Sequence, residues 1–236
     1  MKGLFNKKRI LIVVAHPDDE LLGIGGTISK LKTHFNATIG VAILGEGITS
    51  RADSREVEKW ENELKTHNSN IEDAKSILGY DQLFLHSLPD NRFDSLPLLD
   101  IVKVVENEIN KFRPDIIFTH HEGDLNIDHR MTFEAVITAT RPLENQKIES
   151  IFTFETPSST EWQFGHNQAS FQPNFFIEIE ELDLQKKIMA MECYHYEKRP
   201  FPHPRSPEAL TVLAKLRGSQ IGRKLAEGFT LIRTII

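Results

Sequence analysis

Five short aliphatic runs separated by helical patterns dominate the first two thirds of the chain, and that alternation constrains its fold most. RILIVVA (9–15) carries no apolar–polar alternation after its arginine, the mark of a strand buried on both faces. Residues 20–35 then place Leu21, Leu22, Ile28 and Leu31 at helical spacing. ATIGVAIL (37–44) is expected as a second buried strand, and 54–78 as a long charged helix stopped by Gly79. QLFLH (82–86), DIIFTH (115–120) and ESIFTFE (149–155) complete the strand set, with helices expected over 98–112 and 128–140. Strands and helices in alternation require crossover connections, hence a mostly parallel Rossmann-like α/β sheet with helices on both faces.

Beyond residue 155 the pattern changes. Residues 155–173 are irregular and polar, NFFIEI (174–179) alternates like a strand, and 182–196 and 206–226 read as helices. Ser206 suits the cap of the last helix and Pro207 its first turn. The expectation is one domain over 1–236, its carboxy-terminal α+β extension packed over the sheet edge. With 39% hydrophobic residues, 236 residues suffice for a sizeable core. A net charge of −6 argues against a nucleic-acid partner, and a single cysteine, Cys193, excludes an internal disulfide or a cysteine-based zinc cluster. No run approaches the ~20 apolar residues of a membrane span, so no stable membrane insertion is expected and the compartment is read as cytoplasmic.

In sheets of this kind ligands lie beyond the carboxyl ends of the strands. The unusual residues of this chain cluster there: AHPDDE after the first strand, GEGITSR after the second, SLPDNR after the third and HHEGDLNIDH after the fourth. Asp18, Asp19 and Glu20 have an ordinary reading as acids complementing a helix dipole, each worth about 0.3–1 kcal/mol. That reading leaves His16 unexplained, and three like charges at a buried strand end repel one another unless a cation is present. An imidazole and a carboxylate three residues apart, His16 and Asp19, suit zinc. His129, beside Asp128 at the next helix start, supplies a third ligand. Two histidines and a carboxylate leave one coordination position open, and Asp18 becomes a carboxylate free to act as general base.

AHPDDE paired with a distant DH resembles the PIG-L/LmbE-like family of zinc-dependent N-deacetylases, and the likeness continues through GEG, LPDNR, DLNIDHR, FETPSSTEW and FPHPRSPEAL. The resemblance implies one Zn²⁺ held by His16, Asp19 and His129, Asp18 as base, and an N-acetylglucosamine-type conjugate that loses acetate. It also implies a homo-oligomer, a trimer or hexamer. The alternatives are a zinc hydrolase of another amide or ester and a non-catalytic sugar-binding homologue. One departure stands out: where several relatives carry a second histidine three residues before the metal histidine, this chain has Asn126, which donates a hydrogen bond but no proton at pH 7. The missing acid is then His120, His121 or Asp18 itself.

Glu46, Arg51 and Arg55 after the second strand read either as a solvated helix start or as groups that grip the substrate. In LPDNR, Asp90 and Arg92 resemble the neighbourhood of the family's hydroxyl-binding acid, Asp90 being that acid, and both are candidate substrate-binding residues. His203 and Arg205 precede the last helix; the turn there needs its prolines and Ser206 but neither of these two, so a substrate role is expected. Trp162 reads equally as a sugar platform or as core. Gly23, Gly25 and Gly26 do not form a dinucleotide loop and are expected to serve close helix–strand packing.

Overall fold

A computed structural model describes residues 2–51, 57–144, 147–165 and 169–235. Seven strands form one sheet: β1 (Arg9–Val14), β2 (Thr38–Gly45), β3 (Gln82–Leu88), β4 (Ile116–His120), β5 (Ser150–Phe154), β6 (Phe175–Glu178) and β7 (Ala226–Thr234). Their order across the sheet is β3-β2-β1-β4-β5-β7-β6. The first five run parallel and β7 runs antiparallel to both of its neighbours.

The period-2 geometry of β1 divides its run between two cores. Ile10, Ile12 and Val14 face α2 (Asp19–Phe35), α3 (Glu61–Leu78) and α6 (Glu181–Cys193), meeting Leu21, Ile28, Ala74 and Met191. Leu11, Val13 and Ala15 face α4 (Leu98–Phe112) and α5 (Ile127–Ala139), meeting Ile101, Val105, Ala135 and Val136. With both faces covered there is no solvent side to demand polar residues, which is why the run does not alternate. Gly23 of α2 does what the glycine pattern predicts: a Cβ there would lie 2.2 Å from Cδ2 of Phe154 on β5, so only hydrogen lets the helix approach this closely.

Three sequence expectations are corrected. The last helix, α7 (Pro207–Ser219), stops well short of residue 226, and β7 follows it, a strand the sequence reading did not assign. The carboxy-terminal part therefore joins the sheet instead of lying over its edge, with β7 seated between β5 and β6. A short amino-terminal helix, α1 (Lys2–Phe5), also went unassigned; it buries Phe5 against Phe118 and Phe152. The expected helix over 54–78 begins at Glu61, after a 3₁₀ turn at Val57–Trp60, and its first residues lie outside the described ones.

The strand order also places the site. From β1 the chain builds outward to β3, then crosses back to β4 on the other side of β1. The carboxyl ends of β1 and β4 thus open the crevice where the direction of winding reverses, the position favoured for ligands in such sheets.

Candidate active site

His16 follows β1 by two residues, Asp19 opens α2, and His129 sits in the first turn of α5. One donor atom from each lies within 4.8 Å of the others. Asp19 Oδ2 is 3.5 Å from His16 Nδ1 and 3.3 Å from His129 Nε2. Ligands at 2.0–2.1 Å in a tetrahedron about zinc are separated by roughly 3.3–3.4 Å, so these spacings fit one such ion. The second nitrogen of each ring is backed by an acid: Asp128 Oδ2 lies 2.9 Å from His16 Nε2, and Asp124 Oδ1 lies 3.1 Å from His129 Nδ1. This carboxylate–histidine pairing orients and strengthens metal-ligating imidazoles.

The charge balance points the same way. Burial opposes a charged ring at His129, but Asp19 and Asp124 outweigh it and raise its pKa to about 9. Burial likewise opposes charge on His16, and Asp128, Asp19 and Asp90 together hold its pKa well above the ordinary value. Burial alone would lift Asp19, yet His129 and His120 beside it hold that carboxyl well below the usual range. The pocket carries more buried negative charge than its neutral histidines balance, a deficit that a divalent cation would offset as well as protons.

Asp18 caps α2 at φ 95° and ψ −24°, a left-handed conformation that costs a non-glycine residue of order 1–3 kcal/mol. Its backbone N–H donates to Glu20 Oε2 at 3.0 Å, and its Oδ2 accepts from Arg205 Nη1 at 2.7 Å. Burial pushes its carboxyl well above the usual carboxylate range, against the opposing pull of Arg205. Pro17 precedes this cap.

A cleft of about 140 Å³ opens over these groups. Of the residues singled out in the sequence, it gathers His16, Asp18, Asp19, Arg51, Asp90, Asn126, His129 and Arg205 on its walls. Asn126 is the N-cap of α5: its Oδ1 accepts from Asp128 N at 2.8 Å, while its Nδ2 donates to Asn91 Oδ1 at 2.9 Å. Asp90 is buried, its Oδ2 accepting from Ser50 N at 3.0 Å and its Oδ1 lying 3.4 Å from His16 Nε2.

Other singled-out residues stand off the cleft. His120 is fully buried behind His129, the two rings stacked 3.9 Å apart. Its Nε2 accepts from Ala15 N at 3.0 Å, which leaves Nδ1 to donate to Thr156 Oγ1 at 3.1 Å. Burial, then the neighbouring His129, lowers its pKa to about 4, so at neutral pH this ring carries no extra proton to give. His121 is tied to Ala169 O at 2.8 Å and packs edge-on against Phe171. His203 lies edge-on to Trp162 and accepts from Arg205 N. Glu46 accepts from Thr49 Oγ1 at 2.7 Å, Arg92 is exposed at the turn after β3, and Arg55 lies outside the described residues.

The cleft also holds groups that sequence reasoning missed: His67 from α3, Ser158 and Ser159 from the loop after β5, and Glu197 after α6. They come from three separate parts of the chain; Ser158 and Ser159 lie within the FETPSSTEW stretch, whereas no local motif marks His67 or Glu197. Asp124 and Asp128 did have a signal, since both sit in the same DLNIDH box as His129.

Residues 11–140, more than half of the chain, match the family described as PIG-L, GlcNAc-PI de-N-acetylase, and the chain belongs to that family. It is 28% identical over 193 residues to the uncharacterized deacetylase YaiS of Escherichia coli (strain K12), covering 79% of this chain and 90% of that protein. It is 26% identical over 234 residues to the diacetylchitobiose deacetylase of Thermococcus kodakarensis, covering 95% and 83% respectively. Among solved structures, GalB of Pseudomonas putida KT2440, a 4-carboxy-2-hydroxymuconate hydratase, superposes with a TM-score of 0.74 at 20% identity, covering 97% of this chain and 98% of that one. The last likeness is one of fold, and its different chemistry shows that the sheet alone does not set the reaction.

Proposed function

We propose that this protein is a zinc-dependent hydrolase that removes the N-acetyl group from an N-acetylglucosamine-type conjugate, releasing acetate and a free amine. The observation that carries the reading is the meeting of two imidazoles and a carboxylate, each imidazole backed by an acid, with an additional buried carboxylate, Asp18, on the wall of the same cleft. The diacetylchitobiose deacetylase named above supports the substrate class.

His16, Asp19 and His129 would hold a zinc ion, which would supply Lewis-acid polarisation of the acetyl carbonyl and a lowered pKa for the attacking water. Asp18 takes the proton of the attacking water; burial raises its affinity for that proton against the opposing pull of Arg205. With His120, His121 and His203 off the cleft, the same Asp18 returns the proton to the departing amine. Asn126 offers Nδ2 to the oxygen that becomes negative, and Asp90 and Arg51 line the wall on which the sugar rests.

Release of free amine from N,N′-diacetylchitobiose and from N-acetylglucosaminyl malate, by protein supplied with zinc, tests the reading. Asp18→Asn retains the side chain's size and is expected to lower kcat by roughly 10²–10⁴ with zinc content maintained. A wild-type protein no faster than Asp18→Asn on either compound overturns it.

A further inference from the structure

Arg205 enters the site from the loop before α7, far outside the family match. Its Nη1 donates to Asp18 Oδ2 and to Glu197 Oε2, both at 2.7 Å, and its Nε donates to Ser158 Oγ at 2.7 Å. Glu197 is held in turn: its Oε1 accepts from Arg51 Nη2, which also donates to Tyr196 O at 3.0 Å. The main chain of Asp18 is anchored from the same direction, because Glu20 bridges the Asp18 N–H to the Tyr194 hydroxyl, which donates to Glu20 Oε1 at 2.7 Å. Tyr194, Glu197 and Arg205 thus reach the strained cap of α2 from one stretch of chain.

From this geometry we infer that Arg205 is the positioning residue of Asp18, and that the segment 194–205 clamps the base by side chain and main chain together. The inference rests on the reading of Asp18 as base. An aspartate side chain turns about two torsions, and either oxygen can face the cleft. The Arg205 bond to Oδ2 selects one orientation and leaves Oδ1 to receive the proton. Glu197 and Ser158 fix the guanidinium, so the orientation is set before substrate arrives. Nη1 and Nε of Arg205 are engaged by the protein itself, so the guanidinium is held in place from inside the fold.

The test is a double-mutant cycle on N,N′-diacetylchitobiose and N-acetylglucosaminyl malate, with zinc content and thermal midpoint measured for every variant. Arg205→Gln is expected to lower kcat by about 10²-fold, the scale of a reacting group displaced by an ångström, with KM little changed. In the Asp18→Asn background the same substitution is expected to cost no more than about twofold, because the residue it positions is already disabled. Arg205→Lys, which can bond Asp18 but not Glu197 and Ser158 at once, is expected to recover part of the rate. It replaces Arg205→Gln throughout the cycle if the glutamine variant does not fold. A loss confined to KM, or equal losses in both backgrounds, overturns the positioning role and leaves Asp18 as base. Full activity in Asp18→Asn, or no amine release by the wild type, defeats the reading beneath it and the inference with it.

Discussion

Asp128 stands behind His16 as Asp124 stands behind His129, each carboxylate within 3.1 Å of a ring nitrogen that faces away from Asp19. The two acids are themselves fixed. Asp128 Oδ1 accepts from Phe93 N at 2.9 Å, and Asp124 accepts from Thr160 Oγ1 at 2.6 Å and from the Ser159 hydroxyl. Both acids flank the α5 N-cap, which links the start of that helix to the orientation of both imidazoles. Burial opposes charge on Asp124, but His129 and the two hydroxyls hold its carboxyl far below the usual carboxylate range.

Asp128→Asn tests this arrangement. The amide oxygen retains the bond from Phe93 N, but the amide nitrogen then faces His16 Nε2 as a second donor. Zinc affinity, measured by competition with a chromogenic chelator, is expected to fall about 10–100-fold, the usual effect of losing such a partner. An unchanged affinity would separate Asp128 from the metal site.

Gly23→Ala tests the helix–sheet contact. Alanine favours a helix interior over glycine by about 1 kcal/mol, so on propensity alone the variant should gain stability. The added methyl would instead meet the Phe154 ring at 2.2 Å, and overpacking of this kind costs about 1–3 kcal/mol. Urea denaturation is expected to show a net loss; a gain would mean that the ring yields freely.

The comparison of sequence with structure divides along the range of the interactions involved. β1, α2 and the start of α5 were legible because burial on both faces and helical spacing are written into consecutive residues. Convergence of His16 and Asp19 with His129 followed from one topological rule applied to the crevice between β1 and β4. The seat of β7 was not legible: FTLIRT can pair with any open edge, and only the finished sheet shows β5 and β6 on either side of it. The same holds for Glu197, whose place in the cleft depends on how the carboxy-terminal segment returns over α2, and for the bond of Arg205 to Asp18, although Arg205 itself was singled out for the site. His120 shows the converse. Its place in a histidine-rich loop marked it for chemistry, and its hydrogen bonds to Ala15 and Thr156 fix it as packing behind His129.

Asn126 carries two functions that one substitution can separate. Its oxygen caps α5, and its nitrogen reaches the cleft wall at Asn91. Asn126→Ser retains a good cap but no amide nitrogen, whereas Asn126→Ala removes both. The serine variant is expected to hold the wild-type thermal midpoint while kcat falls by up to about 10²–10³, the scale of one oxyanion donor. The alanine variant is expected to lose a further ~1 kcal/mol of stability. A serine variant with full kcat would reduce Asn126 to a helix cap.

The last prediction concerns pH. His67 of α3 is buried at 1% exposure, edge-on to Tyr194, and its Nδ1 has no hydrogen-bond partner among the described residues. Burial lowers its pKa below the ordinary 6.5; of the charges around it, Glu197 and Asp90 pull the value up and Arg51 and His16 push it down. The folded protein therefore resists protonation at a pH where the unfolded chain accepts it. Between the lowered folded pKa and the unfolded value near 6.5 the unfolded state binds more protons, so stability rises with pH across that window and is lost as pH falls through it. The slope from this one ring is at most about 1.4 kcal/mol per pH unit. His67→Gln removes the titration and leaves a polar side chain in place. Denaturant midpoints of the two proteins are expected to run parallel above pH 7 and to converge as the pH drops from 6.5 to 5, with the wild type losing more. Parallel curves over the whole range would mean that the ring takes its proton as readily in the fold as out of it, and that burial at the back of the cleft is offset by Glu197 and Asp90.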